Sequence, residues 1–310
     1  MRIIFFGSDD FAAIHLKKLL ESSHEIVACV TQPDRPKGRG MKIVESPIKE
    51  IAVARKIPLL QPETLKSAAL ILELQAFDAD VFVVVAYGKI LPENVLSIPG
   101  IFCVNVHGSL LPKYRGAAPI NWAIINGDDH TGVTVMKMSS ILDAGEIILQ
   151  AKLAIAPDDT VVSLRLRMAQ LGAVTLLEAL DKINAKSHVL MRQDLAKVSY
   201  ASKLTKELGH VDWKDSAVRI WNLVRGLQPW PGVSSSYHGK KFKILSAQVI
   251  DFESLLDSSG TVIAVKKEGI VVSTGNQLLL ITRVQPESGK PMDARSFAAG
   301  QKLSTASRLD

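Results

Sequence analysis

The chain has 310 residues, of which 47% are apolar and 22% charged, with a formal net charge of +6. This composition excludes a disordered or collagen-like chain and provides enough apolar residues for roughly two packed domains. The two cysteines, Cys29 and Cys103, both lie in apolar runs, so we expect no disulfides. No apolar run approaches the ~20 residues of a membrane span or forms a signal peptide. We therefore expect a cytoplasmic protein without membrane contact.

Strand and helix patterns alternate through the first half of the chain. Strands are predicted at 2–6, 25–31, 81–86 and 101–106, and helices at 11–21, 47–56, 66–74 and 160–183. The strands 81–86 and 101–106 are almost entirely apolar, as is typical of parallel strands covered on both faces. The alternation predicts an α/β fold with a Rossmann-like, doubly wound sheet over residues 1–190, whose ligands bind at the carboxyl ends of the strands.

The pattern changes after about residue 207. Residues 191–207 are polar and are predicted to be a linker. A helix is predicted at 216–225, then a rigid turn at Pro229-Trp230-Pro231-Gly232, and then strands at 241–250, 261–265, 270–273 and 277–284. Short strands separated by glycines predict a small β-barrel domain over residues 208–310.

Positive charge is concentrated in two stretches of the chain. Residues 33–42 contain four basic residues and one acidic residue, and residues 216–250 contain five basic residues and no acidic residue. A clustered positive field favours a polyanionic partner such as a nucleic acid. An ordinary solvated surface would produce the same pattern.

The turn after the first predicted strand, Gly7-Ser8-Asp9-Asp10, holds a single glycine. It lacks the glycine spacing that lets a backbone approach a pyrophosphate, so we do not expect a nicotinamide or flavin dinucleotide. The sequence has no Walker loop and no cysteine–histidine cluster spaced for zinc. We therefore expect no metal.

Polar side chains stand at the carboxyl end of the strand 101–106. Asn105 and His107 are two residues apart, so they lie on the same side if the strand continues. An amide donor beside an imidazole can stabilise an oxyanion and move a proton. The alternative is that Asn105 caps a turn and that His107 is a satisfied core residue.

Asp143 lies in Leu142-Asp143-Ala144-Gly145, between the predicted strands 132–138 and 146–153. A carboxylate near His107 would fix the tautomer of the imidazole. An aspartate before a small residue and a glycine is also a common turn. Thr134, on the preceding strand, offers a hydroxyl group, although β-branched strand propensity alone explains a threonine there.

Short motifs, taken in order, resemble the 10-formyltetrahydrofolate-dependent formyltransferases, and most closely the members that formylate methionyl-tRNA. The matching segments are 31–36, 38–40, 86–88, 105–112, 115–119, 132–134, 142–145, 211–213 and 229–232. Each motif is short, but the ordered set covers nearly the whole chain and is specific. The first turn departs from the pattern, because Gly7-Ser8-Asp9-Asp10-Phe11 stands where the family usually has Gly-Thr-Pro-Glu/Asp-Phe.

The resemblance implies an active site made of Asn105, His107 and Asp143. Asn105 and a protonated His107 would stabilise the oxyanion formed when an uncharged amine attacks the formyl carbon. Asp143 would hold His107 and relay a proton through water. The residues implied at the site of the folate co-substrate are Ser109, Leu110, Leu111, Pro112, Tyr87 and Gly88. No metal is implied.

The resemblance also implies that the two basic stretches bind tRNA. Lys37, Arg39 and Lys42 match an insertion by which the members acting on methionyl-tRNA engage the acceptor stem. The carboxyl-terminal domain would be an OB-like β-barrel that binds tRNA through the acid-free stretch 216–250. The implied acceptor is methionyl-initiator tRNA, used in translation initiation, and no stable protein partner is expected.

Other activities share part of this pattern. The glycinamide ribonucleotide enzymes lack such a barrel, whereas the formyltransferases of an amino-sugar nucleotide share residues 109–116 and the 229–232 turn and carry a barrel. The loop 32–40 is the feature that favours tRNA over the amino sugar. A hydrolase of formyl-folate needs no amine acceptor. A non-catalytic RNA-binding protein is the alternative from another class, and Asn105, His107 and Asp143 argue against it.

Overall fold

The computed structural model describes residues 1–37, 42–250 and 258–310, and for residues 36, 37, 42 and 43 it describes the backbone alone. The chain forms two compact units. The first consists of Met1–Pro119, His130–Ala154 and Arg165–Ala201, and the second of Ile120–Asp129, Ile155–Leu164 and Ser202–Asp310. Residues 191–201, predicted as part of a linker, are thus grouped with the first unit.

The helices and strands follow the predicted order. The strands are β1 (Arg2–Gly7), β2 (Glu25–Val30), β3 (Arg35–Lys37), β4 (Lys42–Val44), β5 (Leu59–Leu60), β6 (Val81–Val85), β7 (Phe102–His107), β8 (Arg115–Gly116), β9 (His130–Lys137), β10 (Ile147–Ala154), β11 (Tyr200–Ala201), β12 (Val233–Tyr237), β13 (Lys240–Ile250), β14 (Val262–Val265), β15 (Ile270–Ser273), β16 (Leu278–Pro286) and β17 (Met292–Asp293). The α-helices are α1 (Asp10–Leu20), α2 (Pro47–Arg55), α3 (Ala68–Ala76), α4 (Glu93–Leu96), α5 (Pro119–Ile125), α6 (Val161–Asn184), α7 (Ala217–Gly226) and α8 (Ala294–Gln301).

The first unit is built on a seven-stranded sheet with the order β10-β9-β7-β6-β1-β2-β5. The strands β7, β6, β1, β2 and β5 are parallel to one another, whereas β9 is antiparallel to β7 and β10 is antiparallel to β9. The strands β1 and β6 are buried along nearly their whole length, as their apolar sequences predict. The order reverses between β1 and β6, so the ligand-binding edge lies at the carboxyl ends of these strands. The predicted α/β fold is confirmed.

The second unit contains a separate antiparallel sheet with the order β12-β13-β16-β15-β14, and β17 also pairs with β16. Its two edge strands are joined through the end of the chain. Asp310 exchanges backbone hydrogen bonds of 3.0 and 3.2 Å with Ser236 on β12, and Ala306 N donates to Val262 O on β14 at 2.9 Å. The terminal segment thereby covers both open edges of the sheet. The predicted separate β domain is confirmed.

Helix α5, strands β12 and β17 and helix α8 were not predicted from the sequence, and β12 and α8 show the reason. Strand β12 reads Val-Ser-Ser-Ser-Tyr, so its hydrophobic alternation is too weak to identify it. Its place is set by pairing with β13, in which Ser235 lies opposite Phe242. Helix α8 is short and begins at a cap where Asp293 Oδ1 accepts from Ser296 N at 2.7 Å, a local signal that carries little weight without a longer periodic pattern.

No helix in the described ranges of the chain is both long and apolar enough to cross a membrane. Helix α6 is long at 24 residues, but charged residues interrupt it. It packs in the first unit against α1 through a close approach, since a Cβ placed on Gly172 would lie 2.6 Å from His15 Nε2. This contact explains why a glycine is tolerated inside a helix.

His15 is a buried imidazole on α1 that makes stability depend on pH. Its Nδ1–H donates to Phe11 O at 2.7 Å, and its Nε2 has no hydrogen-bond partner in the structure. Burial lowers the pKa of His15 from its ordinary 6.5 to about 4. The unfolded chain therefore takes up a proton below pH 6.5 that the folded chain excludes until about pH 4, so stability is lost as the pH falls through this window.

We expect His15→Leu to remove that pH dependence. The unfolding free energy of the first unit, wild type minus variant, should fall by on the order of 3 kcal/mol between pH 7 and pH 4. Both cysteines lie in the first unit and all four tryptophans in the second, so denaturant unfolding followed by thiol labelling reports on the first unit alone. A difference that stays constant with pH would contradict this expectation, and the exposed His130→Leu serves as control.

Candidate active site

Asn105 and His107 lie at the carboxyl end of β7, where the sequence places them. In the sheet, Asn105 is opposite Val84 of β6, and His107 is opposite Thr134 of β9. Asn105 Nδ2 donates a hydrogen bond to Val84 O at 3.0 Å. Because a carbonyl only accepts, this bond fixes which end of the amide carries the nitrogen. The second amide hydrogen is not used in this bond.

The imidazole of His107 lies between a backbone carbonyl and a carboxylate. The ring is buried, with 7% of its surface exposed. His107 Nε2 lies 2.9 Å from Tyr114 O, so Nε2 carries a proton. His107 Nδ1 lies 3.6 Å from Asp143 Oδ1, an electrostatic contact longer than a hydrogen bond. The ring can therefore donate from Nε2 while its other nitrogen faces a carboxylate.

The loop between β9 and β10 places Asp143 beside His107. Its backbone is in the left-handed region, with φ of 52°, and Asp143 Oδ2 accepts from Gly116 N at 2.7 Å. Gly145 is required in this loop, because a Cβ there would lie 1.7 Å from Lys137 O. The structure thus brings Asp143 to the histidine that follows a different strand.

Hydrogen bonds from Thr134 fix the predicted folate segment, residues 109–112. The hydroxyl of Thr134 donates to Ser109 O at 2.7 Å and accepts from Leu111 N at 3.0 Å. Gln150, which lies opposite Thr134 on β10, donates to Leu111 O at 2.9 Å and to the Thr134 hydroxyl at 2.8 Å. Several backbone groups of this segment are therefore already bonded within the protein, which fixes its shape.

Tyr87 contributes its backbone, and not its ring, to the edge of the sheet. The ring is 1% exposed and packs edge-on against Phe6 at 5.5 Å between centroids, and burial raises its pKa to about 12. Tyr87 O accepts from Ser8 Oγ at 3.2 Å and from Gln32 Nε2 at 2.7 Å. Gly88 follows with φ of +80°. The predicted folate contact at Tyr87 remains a prediction for the main chain.

Three apolar side chains that are close in sequence to candidate site residues are exposed. Ile141 and Leu142, next to Asp143, are 69% and 61% exposed, and Ile90, next to the Gly88 turn, is 77% exposed. Large apolar side chains left in solvent are a feature of ligand-binding surfaces.

Two short strands, called here the basic hairpin, flank the basic loop, and a cluster of polar side chains lies just before the first of them. Strands β3 and β4 are antiparallel, with Lys37 paired to Lys42 through the backbone. Arg39 lies outside the described residues. In this cluster, Asp34 accepts hydrogen bonds from Lys49 and, at 2.9 Å, from Gln61. The bond from Lys49 lowers the pKa of Asp34, and the same bond raises the pKa of Lys49.

Several residues at the site were not identified from the sequence. Gln193 Nε2 donates to Asp143 O at 2.9 Å, and Ser199 Oγ accepts from Tyr114 N at 2.9 Å; both residues come from the predicted linker. Gln150 comes from a strand whose polar residues carried no motif. Tyr114 acts through its carbonyl oxygen, which no side-chain pattern can reveal. In the described ranges no group of three or more His, Cys, Asp or Glu side chains could hold a metal ion.

Family models match both halves of the chain. The model described as formyl transferase matches residues 1–180, and the model described as formyl transferase, C-terminal domain, matches residues 203–302. The chain belongs to the formyltransferase family. The methionyl-tRNA formyltransferase of Caldanaerobacter subterraneus subsp. tengcongensis is 45% identical over 304 residues, which cover 98% of each chain. That of Geobacter metallireducens is 42% identical over 309 residues, covering 100% of this formyltransferase and 98% of the relative.

Solved structures show the same fold at lower identity. HypX from Aquifex aeolicus, in complex with tetrahydrofolic acid, matches 96% of this formyltransferase with a TM-score of 0.66 and 19% identity. The match covers 47% of HypX, so the chain spans about half the length of that protein. This likeness concerns the fold.

Proposed function

We propose that this formyltransferase transfers the formyl group of 10-formyltetrahydrofolate to the α-amine of methionyl-initiator tRNA. The observation that carries the proposal is the placement of His107 between Asp143 and the Tyr114 carbonyl, two residues beyond Asn105 at the ligand-binding edge. The relatives that bear this activity in their names match the whole chain at 42–45% identity, which favours tRNA over other acceptors.

The reaction places negative charge on one oxygen atom. The uncharged amine nitrogen attacks the formyl carbon, the carbonyl electron pair moves to oxygen, and the bond from the formyl carbon to N10 of the folate then breaks. Overall one proton leaves the amine and one reaches N10. Asn105 uses one amide hydrogen on Val84 O and has a second to donate to the oxyanion, a contribution of about 3–4 kcal/mol for donors of this kind.

His107 and Asp143 handle the proton and the remaining charge. When both ring nitrogens carry protons, His107 stabilises the oxyanion electrostatically in a site shielded from water. The carboxylate of Asp143 compensates the imidazolium charge and, being fixed by Gly116 N, keeps the ring in place. It also accepts, through water, the proton that the attacking amine loses.

The folate co-substrate is bound by the segment Ser109–Pro112 and by the main chain at Tyr87 and Gly88. The exposed side chains of Ile90, Ile141 and Leu142 provide apolar surface for its flat ring. Catalysis needs no metal ion, because positioning of the amine and stabilisation of the oxyanion supply the required terms.

The tRNA is bound by the basic hairpin, through Lys37, Arg39 and Lys42, and by the acid-free stretch 216–250 of the second unit. Basic side chains neutralise phosphates, and this contribution depends on salt. The enzyme acts in the cytoplasm on initiator tRNA, for translation initiation, and has no stable protein partner.

We expect Arg39→Ala to impair the use of tRNA and to spare folate binding. Loss of one phosphate contact should raise KM for methionyl-tRNA by about 5- to 30-fold. It should also reduce the slope of log KM against log salt concentration by about one. Steady-state kinetics at several salt concentrations checks this, with the exposed Arg55→Ala as a matched control. An equal rise in KM for the folate would show that the hairpin acts on folding or on the folate site.

An acceptor comparison tests the proposed activity. The protein is incubated with 10-formyltetrahydrofolate and, in separate reactions, methionyl-tRNA, an amino-sugar nucleotide, or no acceptor. Formyl-methionine released from the tRNA supports the proposal. Transfer to the sugar alone would assign a different acceptor, and loss of the formyl group as formate at the same rate without any acceptor would indicate a hydrolase.

A further inference from the structure

A glutamine from the predicted linker contacts both sides of the Asp143 loop. Gln193 Nε2 donates to Asp143 O at 2.9 Å and to Gly145 O at 2.8 Å. Gln193 Oε1 accepts from Arg115 Nε at 3.0 Å and from Arg115 Nη2 at 2.7 Å. Arg115 is 7% exposed and Gln193 is half-buried. Shielding from water strengthens such bonds.

The backbone on either side of Gln193 is fixed. Met191 and Ile147, at the start of β10, exchange backbone hydrogen bonds of 2.8 and 2.9 Å. Further along, Ser199 O accepts from Arg115 N at 2.9 Å, which joins the same segment to β8. Gln193 therefore extends from a segment that is tied both to the strand after the Asp143 loop and to the strand that carries its guanidinium partner.

The Asp143 loop has a conformation that needs this support. A left-handed backbone, as at Asp143 with φ of 52°, costs an L-residue roughly 1–2 kcal/mol, and somewhat less for aspartate. The carboxylate is held from one side by Gly116 N at 2.7 Å, and the carbonyl from the other side by Gln193. Gly116 follows Arg115, so both attachments lead back to one short strand.

We infer that Gln193 is a positioning residue that holds Asp143 in place beside His107, with Arg115 as its anchor. The inference rests on the proposed function for the roles of Asp143 and His107. Only an uncharged amide satisfies both partners, because its N–H groups donate to two carbonyls while its oxygen accepts from the guanidinium. Glutamate keeps the acceptor and loses the donor, and methionine keeps the length and loses both.

The first test is the kinetics of Gln193→Glu and Gln193→Met. Misplacement of a catalytic group by about 1 Å costs up to ~100-fold, so we expect kcat to fall by about 10- to 100-fold. KM for the folate and for methionyl-tRNA should stay within about twofold. The exposed Gln170→Met on α6 should match the wild type. Wild-type kcat in both Gln193 variants would overturn the inference.

A double-mutant cycle with Asp143→Asn separates positioning from a general structural role. If Gln193 acts through Asp143, Gln193→Met should change kcat by less than about twofold in the Asp143→Asn background. An equal loss in both backgrounds, or an Asp143→Asn enzyme with wild-type kcat, would overturn the inference. Thiol labelling of Cys29 and Cys103 reports whether the first unit is folded. If another amine proves to be the acceptor, the proposed function fails while the cycle, run with that amine, still tests Gln193.

Discussion

Replacing His107 by alanine should lower kcat for formyl transfer about 1,000-fold or more. The variant loses the positive charge that stabilises the oxyanion and a group that moves protons, and each effect alone is worth about 100-fold or more. The folate site should stay intact, because Thr134 and Gln150, and not His107, brace residues 109–112. The expected pattern is therefore a large loss in kcat with tetrahydrofolate affinity within about threefold of the wild type.

The control for this variant must rule out unfolding. Removing the imidazole takes away one hydrogen-bond partner of Tyr114 O and one electrostatic contact of the Asp143 carboxylate, which keeps its bond from Gly116 N. The cost is roughly 1–3 kcal/mol. The thiol-labelling midpoint of the first unit should show this modest loss while the protein stays folded under assay conditions. His130→Ala, at an exposed position of the same unit, should have wild-type activity. Substantial activity in the His107→Ala enzyme would contradict the assigned role.

Replacing Asn105 should have the second-largest effect on kcat, and the alanine and aspartate variants should differ in rate. Asn105→Ala removes the oxyanion donor and should lower kcat by about 100- to 1,000-fold. Asn105→Asp keeps the size of the side chain but places a carboxylate against Val84 O and beside the developing negative charge. Two negative charges close together in a site shielded from water repel strongly, so the aspartate variant should be slower than the alanine variant.

Single-turnover rates with saturating folate and methionyl-tRNA give the comparison between these two Asn105 variants without interference from product release. Asn94→Asp, an exposed position on α4, is the matched control for adding a negative charge. An aspartate variant faster than the alanine variant would show that Asn105 contributes packing and not charge stabilisation.

Local spacing predicted part of the fold and part of the site. Asn105 and His107 could be placed together because a strand alternates every two residues, and the apolar run before them identified that strand. The helices and strands from which the fold was derived are present, with ends shifted by no more than two residues. These features depend on neighbours in sequence, which a single chain displays directly.

The remaining parts depend on contacts between residues far apart in sequence. Gln193 lies 50 residues from Asp143 and 78 from Arg115, and no periodicity links such positions. Local spacing alone favoured a simple turn at Asp143 over a catalytic role, and only the ordered motifs reversed that interpretation. The register that sets Gln150 against Thr134 is likewise a property of the folded sheet. Side chains that support a site through such pairings leave no pattern of their own.

Formyl transfer to methionyl-tRNA through the Asn105 oxyanion donor can be tested by a rapid-quench, single-turnover assay of the wild type and Asn105→Ala, with a radiolabelled formyl donor, methionyl-tRNA and enzyme in excess. We expect labelled formyl-methionyl-tRNA from the wild type, and a first-order rate about 100- to 1,000-fold lower in the variant with both substrates still bound. Equal rates in the two enzymes, or label that never reaches the methionyl amine, would contradict this expectation.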